Sequence, residues 1–321
     1  MVLGLGGLLL MTGCVGTTTE IATFGESTHA LTGKIDRVID SYNTTALERE
    51  FTDLASLYSD SHTKDLTREA LLEIRKPITP KQKKNFALYR ANQALGEYAQ
   101  ALRALSVAGS QGELDMAMAD LYGSMKDLNS HYKTLKKSKT PLFEPEDFAL
   151  STKLVTALGS LLLQERRNTM IKHIVIEADP KIATICKEIT RQLHTSGIGE
   201  GIAVAKQYIF TEELIDYHSH TESTLDWRRD KIKRLYQLRR EIATSTLLIQ
   251  EAQKAIKTIQ ETHHLLAKEL QANRFTSHAI TQAMRRLKTL NKHYNNFEKL
   301  LLECKKISQN KEGVVSCNDP V

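Results

Sequence analysis

Residues 222–272 read ESTLDWRRDKIKRLYQLRREIATSTLLIQEAQKAIKTIQETHHLLAKELQA and contain neither Pro nor Gly. Apolar side chains recur in this stretch at intervals of three and four residues, the spacing that places them on one face of an α-helix. One heptad position holds Leu235, Ile242, Ile249, Ile256, His263 and Leu270, and its partner position holds Leu238, Ser245, Ala252, Ile259 and Leu266. The stretch therefore predicts one coiled-coil-like helix about 70 Å long, at 1.5 Å per residue.

A second apolar stripe follows this helix and predicts its partner. Residues 273–277 are polar and predict a turn, with Thr276 or Ser277 as the N-cap of the next helix. The stripe then consists of Ile280, Ala283, Leu287, Leu290, Tyr294, Phe297, Leu301 and Cys304. The C-terminal third is thus expected to form a long helical hairpin, followed by a polar tail over 311–321.

The same periodicity continues toward the N-terminus. Two stripes, over 88–105 and 114–135, flank Gly109 and Gly112 and predict an antiparallel pair of helices. Residues 138–147 read as a linker, and residues 148–178 are apolar on several sides. The dipeptide Asp179-Pro180 predicts the start of a new helix.

Composition supports the same fold class. Only 6 Pro and 16 Gly occur among 321 residues, which disfavours turn-rich folds such as β-sandwiches and propellers, and the 41% hydrophobic content can supply a core. We therefore expect an all-α protein, an elongated multi-helix bundle with a long C-terminal coiled-coil-like hairpin. Its expected parts are an N-terminal helical region over 28–140 and a long-helix bundle over 146–310.

The N-terminus has the character of a secretion signal. Residues 1–13, MVLGLGGLLLMTG, carry no charge and are shorter than the roughly 20 residues that span a bilayer. The sequence Leu10-Met11-Thr12-Gly13-Cys14 resembles the lipobox of bacterial lipoproteins. This resemblance implies cleavage before Cys14 and acylation of the Cys14 thiol and amino group. Residues 14–27 are then expected to form a flexible tether to the membrane.

The resemblance also implies a location. In enterobacterial lipoproteins an Asp after the lipidated cysteine favours retention in the inner membrane, and Val15 stands here instead. We therefore expect a lipid-anchored protein of the bacterial envelope, in the outer membrane and facing the periplasm.

Three further cysteines remain. In an oxidising envelope one pair among Cys186, Cys304 and Cys317 is expected to close. Cys304 and Cys317 are near in sequence, which favours a disulfide between them. Cys186 and Cys304 both lie on apolar stripes, so a disulfide between these two is the alternative. The absence of any C-x-x-C motif gives no support for a zinc or thioredoxin-type site.

Charge is distributed unevenly. Residues 227–310 hold 18 of the 44 Lys and Arg residues but only 7 of the 38 Asp and Glu residues. Within the densest segment, 228–240, the side chains expected to point outward are those of Arg229, Lys233, Arg239 and Arg240. Either this is a solvated face neutralised by the acidic remainder of the chain, or it contacts an anionic lipid, lipopolysaccharide phosphates or an acidic protein. Nucleic acid is not an expected partner in the envelope.

Few residues are candidates for chemistry. Asp216, His218, His220 and Glu222 form the best metal-like cluster, although a polar helix end is the favoured interpretation. Residues 196–201, SGIGEG, lack the preceding strand of a phosphate-binding loop and predict a flexible turn. His263 is expected to be a hydrogen-bonded core histidine or, alternatively, a register- or pH-sensitive element.

The expected function is therefore that of a non-enzymatic, cofactor-free envelope lipoprotein acting as a helical scaffold, adaptor or binding protein for a partner in the envelope. One alternative is a membrane-active protein like the helical pore-forming cytolysins, with residues 154–163 as the inserting segment. The other is a helical-bundle metal-binding enzyme.

Overall fold

The computed structural model describes residues 14–57, 66–73, 80–137, 139–144, 163–195, 198–220, 223–274, 277–309 and 315–320. These residues form helices α1 (Cys14–Leu57), α2 (Arg68–Glu73), α3 (Pro80–Val107), α4 (Gln111–Lys136), α5 (Leu163–Thr195), α6 (Ile198–Ser219), α7 (Leu225–Gln271) and α8 (His278–Glu303). Strands β1 (Cys304–Gln309) and β2 (Val315–Pro320) follow them. The expected all-α class and helical bundle are confirmed.

The chain forms two compact units, each built from three separate segments. Unit 1 comprises residues 1–33, 90–189 and 255–292, and unit 2 comprises residues 34–89, 190–254 and 293–321. The expected division into 28–140 and 146–310 is therefore wrong. The expected division places a boundary at the linker over 138–147. The boundaries of the two units instead fall inside helices, whose apolar stripes continue across them.

The expected tether over 14–27 is also wrong. Residues from Cys14 onward belong to α1, and Ile21 and Phe24 are buried in unit 1. They begin a stripe that continues through Thr28 and Leu31, all at helical spacing. Burial of the two apolar side chains stabilises helix in a segment whose composition alone favours a tether.

Helices α1 and α3 approach closely in unit 1 because each carries a glycine at the contact. A Cβ atom on Gly25 would lie 2.6 Å from Cβ of Arg103, and one on Gly96 would lie 3.3 Å from Cβ of Thr32. The buried Asn92 side chain donates a 2.7 Å hydrogen bond to the Thr32 carbonyl across the same contact. These glycines are therefore required by packing.

The predicted pair of helices around Gly109 and Gly112 is confirmed. Ser110 is the N-cap of α4 and accepts a hydrogen bond from the Glu113 amide at 3.3 Å. The Glu113 carboxylate accepts in turn from the Gly109 amide at 2.7 Å, which satisfies a second donor at the helix start. Beyond α4, in the expected linker, Asn129 Oδ1 accepts from the amides of Leu142 and Phe143, both of which are buried.

The predicted helix start at Asp179-Pro180 is wrong, because Pro180 lies inside α5. Proline removes one backbone hydrogen bond and disfavours a helix interior. The apolar stripe of α5 continues on both sides of it, however, with Ile174, Ala178, Ile182 and Ile185 all buried. Packing in unit 1 therefore outweighs the local preference for a break.

The turn between α7 and α8 is closed by local hydrogen bonds. Asn273 has a left-handed φ of 54°, its amide donates to the Leu270 carbonyl, and the Arg274 amide donates to the Glu269 carbonyl at 2.9 Å. This is the Schellman pattern, with Asn in place of the usual Gly. Ser277 Oγ accepts from the Ile280 amide at 3.1 Å, which confirms Ser277 as the N-cap. Thr276 lies outside the described residues.

In unit 2 two glycines of α6 allow close packing, one against the stripe of α7 and one against α1. Ile249 is 6% exposed, and a Cβ atom on Gly199 would lie 2.9 Å from its Cγ1 atom. A Cβ atom on Gly201 would lie 2.6 Å from Cε2 of Tyr42. Gly199 and Gly201 therefore belong to a helix and serve packing, whereas the sequence predicted a flexible turn over 196–201. Residues 196 and 197 lie outside the described part.

The stripe assignment generates a matched pair of variants. Ile249→Asp would place a carboxylate against Gly199 without a partner and is expected to cost several kcal/mol of unfolding free energy. Gln250 is exposed one position further along α7, so Gln250→Asp is expected to cost less than about 0.5 kcal/mol. Chemical denaturation of both variants measures the difference, and equal midpoints would contradict the packing described.

The C-terminal tail differs from the polar tail expected over 311–321. Residues 315–320 form β2, which pairs antiparallel with β1, with Ile307 opposite Cys317 and Gln309 opposite Val315. Cys317 is disulfide-bonded, whereas Cys186 is buried with a free thiol. The alternative pairing of Cys186 with Cys304 is therefore wrong. Burial of Cys186 raises the pKa of its thiol to about 12, which keeps it protonated and unreactive.

Candidate functional site

The metal-like cluster predicted around Asp216 forms an ion pair and an aromatic stack. Asp216 Oδ2 lies 2.7 Å from Lys231 Nζ, which also lies 2.6 Å from Glu213 Oε2. The His220 ring stacks on Trp227 with the ring centroids 4.8 Å apart. His218 is exposed and Glu222 lies outside the described residues. The Lys231 ammonium group therefore neutralises Asp216, which is the role that a metal ion would have in the predicted site.

The same lysine shows how the basic segment of α7 is neutralised in unit 2. Partial burial lowers the pKa of Lys231, but its hydrogen bonds to Asp216 and Glu213 raise it by more, so the pKa lies above its ordinary value. Arg234 Nη2 likewise lies 2.9 Å from Glu48 Oε1 on α1. Cations of α7 thus pair with acidic residues from the remainder of the chain, as one of the two interpretations of the charge pattern requires.

The four residues predicted to contact an anionic partner either interact with a neighbouring side chain of α7 or line a small cavity. Arg229 lies 3.2 Å from Asp226, and Lys233 lies 3.2 Å from Asp230. The Arg240 guanidinium sits 5.8 Å from the centre of the Tyr236 ring. Arg239 is exposed and lines a hollow with Gln207 and Phe210. Three of the four therefore have a counter-charge or an aromatic ring beside them.

The exposed face of α8 in unit 1 is different. Arg285, Arg286, Lys288 and Lys292 are all exposed, and none of them forms an ion pair with an acidic residue in the described part of the chain. No Asp or Glu occurs between His278 and Phe297. Arg285, Lys288 and Lys292 follow a spacing of three and four residues, so they lie on one face along about 10 Å of helix. We call these four residues the α8 cationic face.

The opposite side of α8 explains why this face points outward. Ile280, Met284 and Leu287 are buried in unit 1 at helical spacing. Because these residues fix the rotation of the helix about its axis, the cations are held on the solvent side. The face therefore offers positive charge to an anionic partner without first breaking an ion pair among the described residues.

His263 lies at the centre of a buried polar network in unit 1. Its ring is fully buried, Nδ1 lies 3.0 Å from Asp179 Oδ1, and Nε2 lies 2.9 Å from the Tyr98 hydroxyl. The ring of Phe24 packs edge-on against it with the centroids 5.7 Å apart. The second carboxylate oxygen of Asp179 lies 2.7 Å from Nδ1 of the exposed His264. The expected hydrogen-bonded core histidine is thus confirmed.

The chemistry of the partners fixes the direction of these bonds. A carboxylate only accepts, so His263 Nδ1–H donates to Asp179, and in the neutral ring Nε2 accepts from the Tyr98 hydroxyl. Every polar atom of the imidazole is satisfied in its neutral form. Burial, together with the negative charge of Asp179, raises the pKa of Tyr98 far above its ordinary value, so the hydroxyl remains a donor.

Asp179 makes the stability of unit 1 depend on pH. Its partial burial raises the carboxyl pKa, but hydrogen bonds from His263 and His264 lower it by more, so the folded-state pKa lies below the ordinary 3.8. Such a group stabilises the folded state above its unfolded pKa, and this contribution is lost as the pH falls through the folded value.

Asp179→Asn is therefore expected to reduce the free energy of unfolding by about 1–3 kcal/mol at pH 7. The difference from the wild type is expected to shrink as the pH falls below about 3.8, measured by urea denaturation at a series of pH values. Asp115→Asn is the control, because Asp115 is an exposed carboxylate whose one partner among the described residues is Gln111, one turn away. Equal losses for the two variants at pH 7 would contradict a stabilising network.

Neither the α8 cationic face nor the role of Asp179 was singled out in the sequence. The signal for the face was available as a run from His278 to Phe297 with four cations and no acid. No such signal existed for Asp179, because its partners His263 and His264 lie more than 80 residues away in α7 and only the fold brings them together.

The described residues contain no group of three or more His, Cys, Asp or Glu side chains placed to hold a metal ion. No helix in the described ranges is both long and apolar enough to cross a membrane. The segment 154–163 proposed for insertion lies outside the described residues except for Leu163. Comparisons with models of known protein families, with curated proteins and with solved structures find no match to this chain.

Proposed function

We propose that this chain is a non-enzymatic helical binding protein of the bacterial envelope, anchored through lipidated Cys14 and facing the periplasm. In this proposal the basic region 227–310 binds the phosphate groups of an anionic membrane surface, through the α8 cationic face. The observation that carries the proposal is that this face holds four exposed cations with no described acidic partner.

The distinction between α7 and α8 supports the choice of face. Replacing an internal counter-ion such as Glu213 by a phosphate gains little, because one ion pair is exchanged for another. A cation without such a partner gains the full attraction, which is about 1 kcal/mol for each Lys or Arg near an anionic membrane. Lipid anchoring keeps the protein near such a surface, so that four cations suffice for stable contact.

The α8 cationic face is tested by removing its charge. Replacing Arg285, Arg286, Lys288 and Lys292 by Gln is expected to weaken binding to vesicles containing an anionic phospholipid by about 100- to 1,000-fold at low salt, on the basis of about 1 kcal/mol per cation. Co-sedimentation of the chain from residue 15 onward measures this without the anchor. Wild-type binding should also weaken with increasing salt, because the screening length falls to about 8 Å at 0.15 M.

A matched control removes the same net charge from α7. Replacing Arg229, Lys233, Arg239 and Arg240 by Gln changes the total charge equally, but three of these side chains already have local partners. This variant is expected to weaken vesicle binding by less than about tenfold. Equal weakening in the two variants would show that net charge alone governs binding, and a larger effect of the α7 set would place the contact on that helix.

The anchor is tested separately. Cys14→Ser removes the thiol that the lipobox resemblance identifies as the acylation site. The variant is expected to accumulate as uncleaved precursor and to lose the mobility shift that acylation produces, as seen by gel electrophoresis and mass spectrometry of membrane fractions. Wild-type processing of the variant would contradict the assignment as a lipoprotein.

A further inference from the structure

Two adjoining cavities open between α1, α6 and α7 within unit 2. The first has a volume of about 590 Å³ and the second about 430 Å³, both in the range of small-molecule sites. Ser41, Lys206 and Glu241 line both cavities. The cavities therefore form one groove, with the ion pair of Lys206 and Glu241 at the point where they meet.

The first cavity has charged side chains of both signs in equal number. Its charged lining consists of three cations and three acids, which are Arg37, Lys206, Arg234, Asp40, Glu48 and Glu241. Lys206 Nζ lies 2.6 Å from Glu241 Oε2, and Arg234 Nη2 lies 2.9 Å from Glu48 Oε1. A ligand with a single charge would be attracted by one residue of each ion pair and repelled by the other. A ligand that carries both signs can contact both partners of a pair.

The second cavity adds an apolar wall. Val38, Ile202 and Leu248 line it, together with Tyr236, which is 48% exposed. The Arg240 guanidinium sits 5.8 Å from the Tyr236 ring centre. Side chains of this kind bury hydrocarbon, and the second cavity has four of them, whereas Ile209 and Leu238 are their counterparts in the first. The groove thus has more charged side chains in its first cavity and more apolar ones in its second.

We propose that this groove binds a single-chain amphiphile with a zwitterionic headgroup, such as a phosphoethanolamine lysophospholipid. The phosphate lies toward Arg234 and Lys206, the ammonium toward Glu48 and Glu241, and the start of the hydrocarbon chain along Tyr236 and Leu248. This site is separate from the α8 cationic face, and neither proposal depends on the other.

The ligand class is tested with three probes on the full-length chain. Lysophosphatidylethanolamine is zwitterionic, lysophosphatidylglycerol has the same chain with a net negative charge, and glycerophosphoethanolamine has the headgroup without the chain. Below the critical micelle concentration, native mass spectrometry is expected to show the first bound at least tenfold more tightly than the other two. Equal binding of the two lysophospholipids, or no binding of the first, would overturn the proposal.

The site is tested by removing the central ion pair as a unit. The double variant Lys206→Gln, Glu241→Gln leaves no unpaired charge and is expected to weaken binding of lysophosphatidylethanolamine at least tenfold. The matched control is Asp230→Asn, Lys233→Gln, which removes an exposed ion pair of α7 outside the groove and is expected to leave binding unchanged. Unchanged binding in the groove variant, or an equal loss in the control, would overturn the assignment of the site.

Tyr236→Ser provides a test that does not depend on the stability of the ion-pair variant, because half of this side chain is exposed. It is expected to weaken binding of lysophosphatidylethanolamine several-fold, with no change in the melting temperature beyond a few degrees. Binding equal to that of the wild type would show that the chain of the ligand does not lie in the second cavity.

Discussion

The structure depends on the largely apolar stripe of α7. This stripe supplies Ile249 and Ala252 to unit 2, and Ile256, Ile259 and Leu266 to unit 1, all of them buried. Because no Pro or Gly interrupts the helix, each apolar residue fixes the rotation of the next one, three or four positions along. A single charged substitution in the stripe is therefore expected to affect packing well beyond its own position.

The fixed rotation of the helices also decides where charge is available. On α7 the stripe directs Lys231 and Arg234 toward acidic residues of unit 2, so the densest basic segment of the sequence is largely neutralised. On α8 the buried Met284 and Leu287 direct four cations away from the core and from any described acid. Charge density along the chain and available charge on the surface are therefore different quantities in this protein.

Much of the fold could be predicted from periodicity, and the failures have a common physical origin. The stripes of α3, α4, α7 and α8, and the cap at Ser277, depend on neighbours in sequence and were predictable. Pro180 inside α5, helix over 14–27, and the glycines of α6 were not, because tertiary packing there opposes the local preference. The same distinction applies to the functional sites. The α8 cationic face is a local pattern and could be predicted, whereas the partners of His263 and the groove beside Lys206 are formed by distant segments and could not.

The construction of each unit from three separate segments has a consequence for synthesis. The core of unit 1 needs residues from α1 and from 255–292, and unit 2 needs residues from α1 and from 293–321. Such long sequence separations slow folding, because chain entropy is lost before the distant contacts form. A growing chain cannot complete either core until most of its length has been made. Both cores are therefore completed only late in translation, and the two units gain their stability almost together.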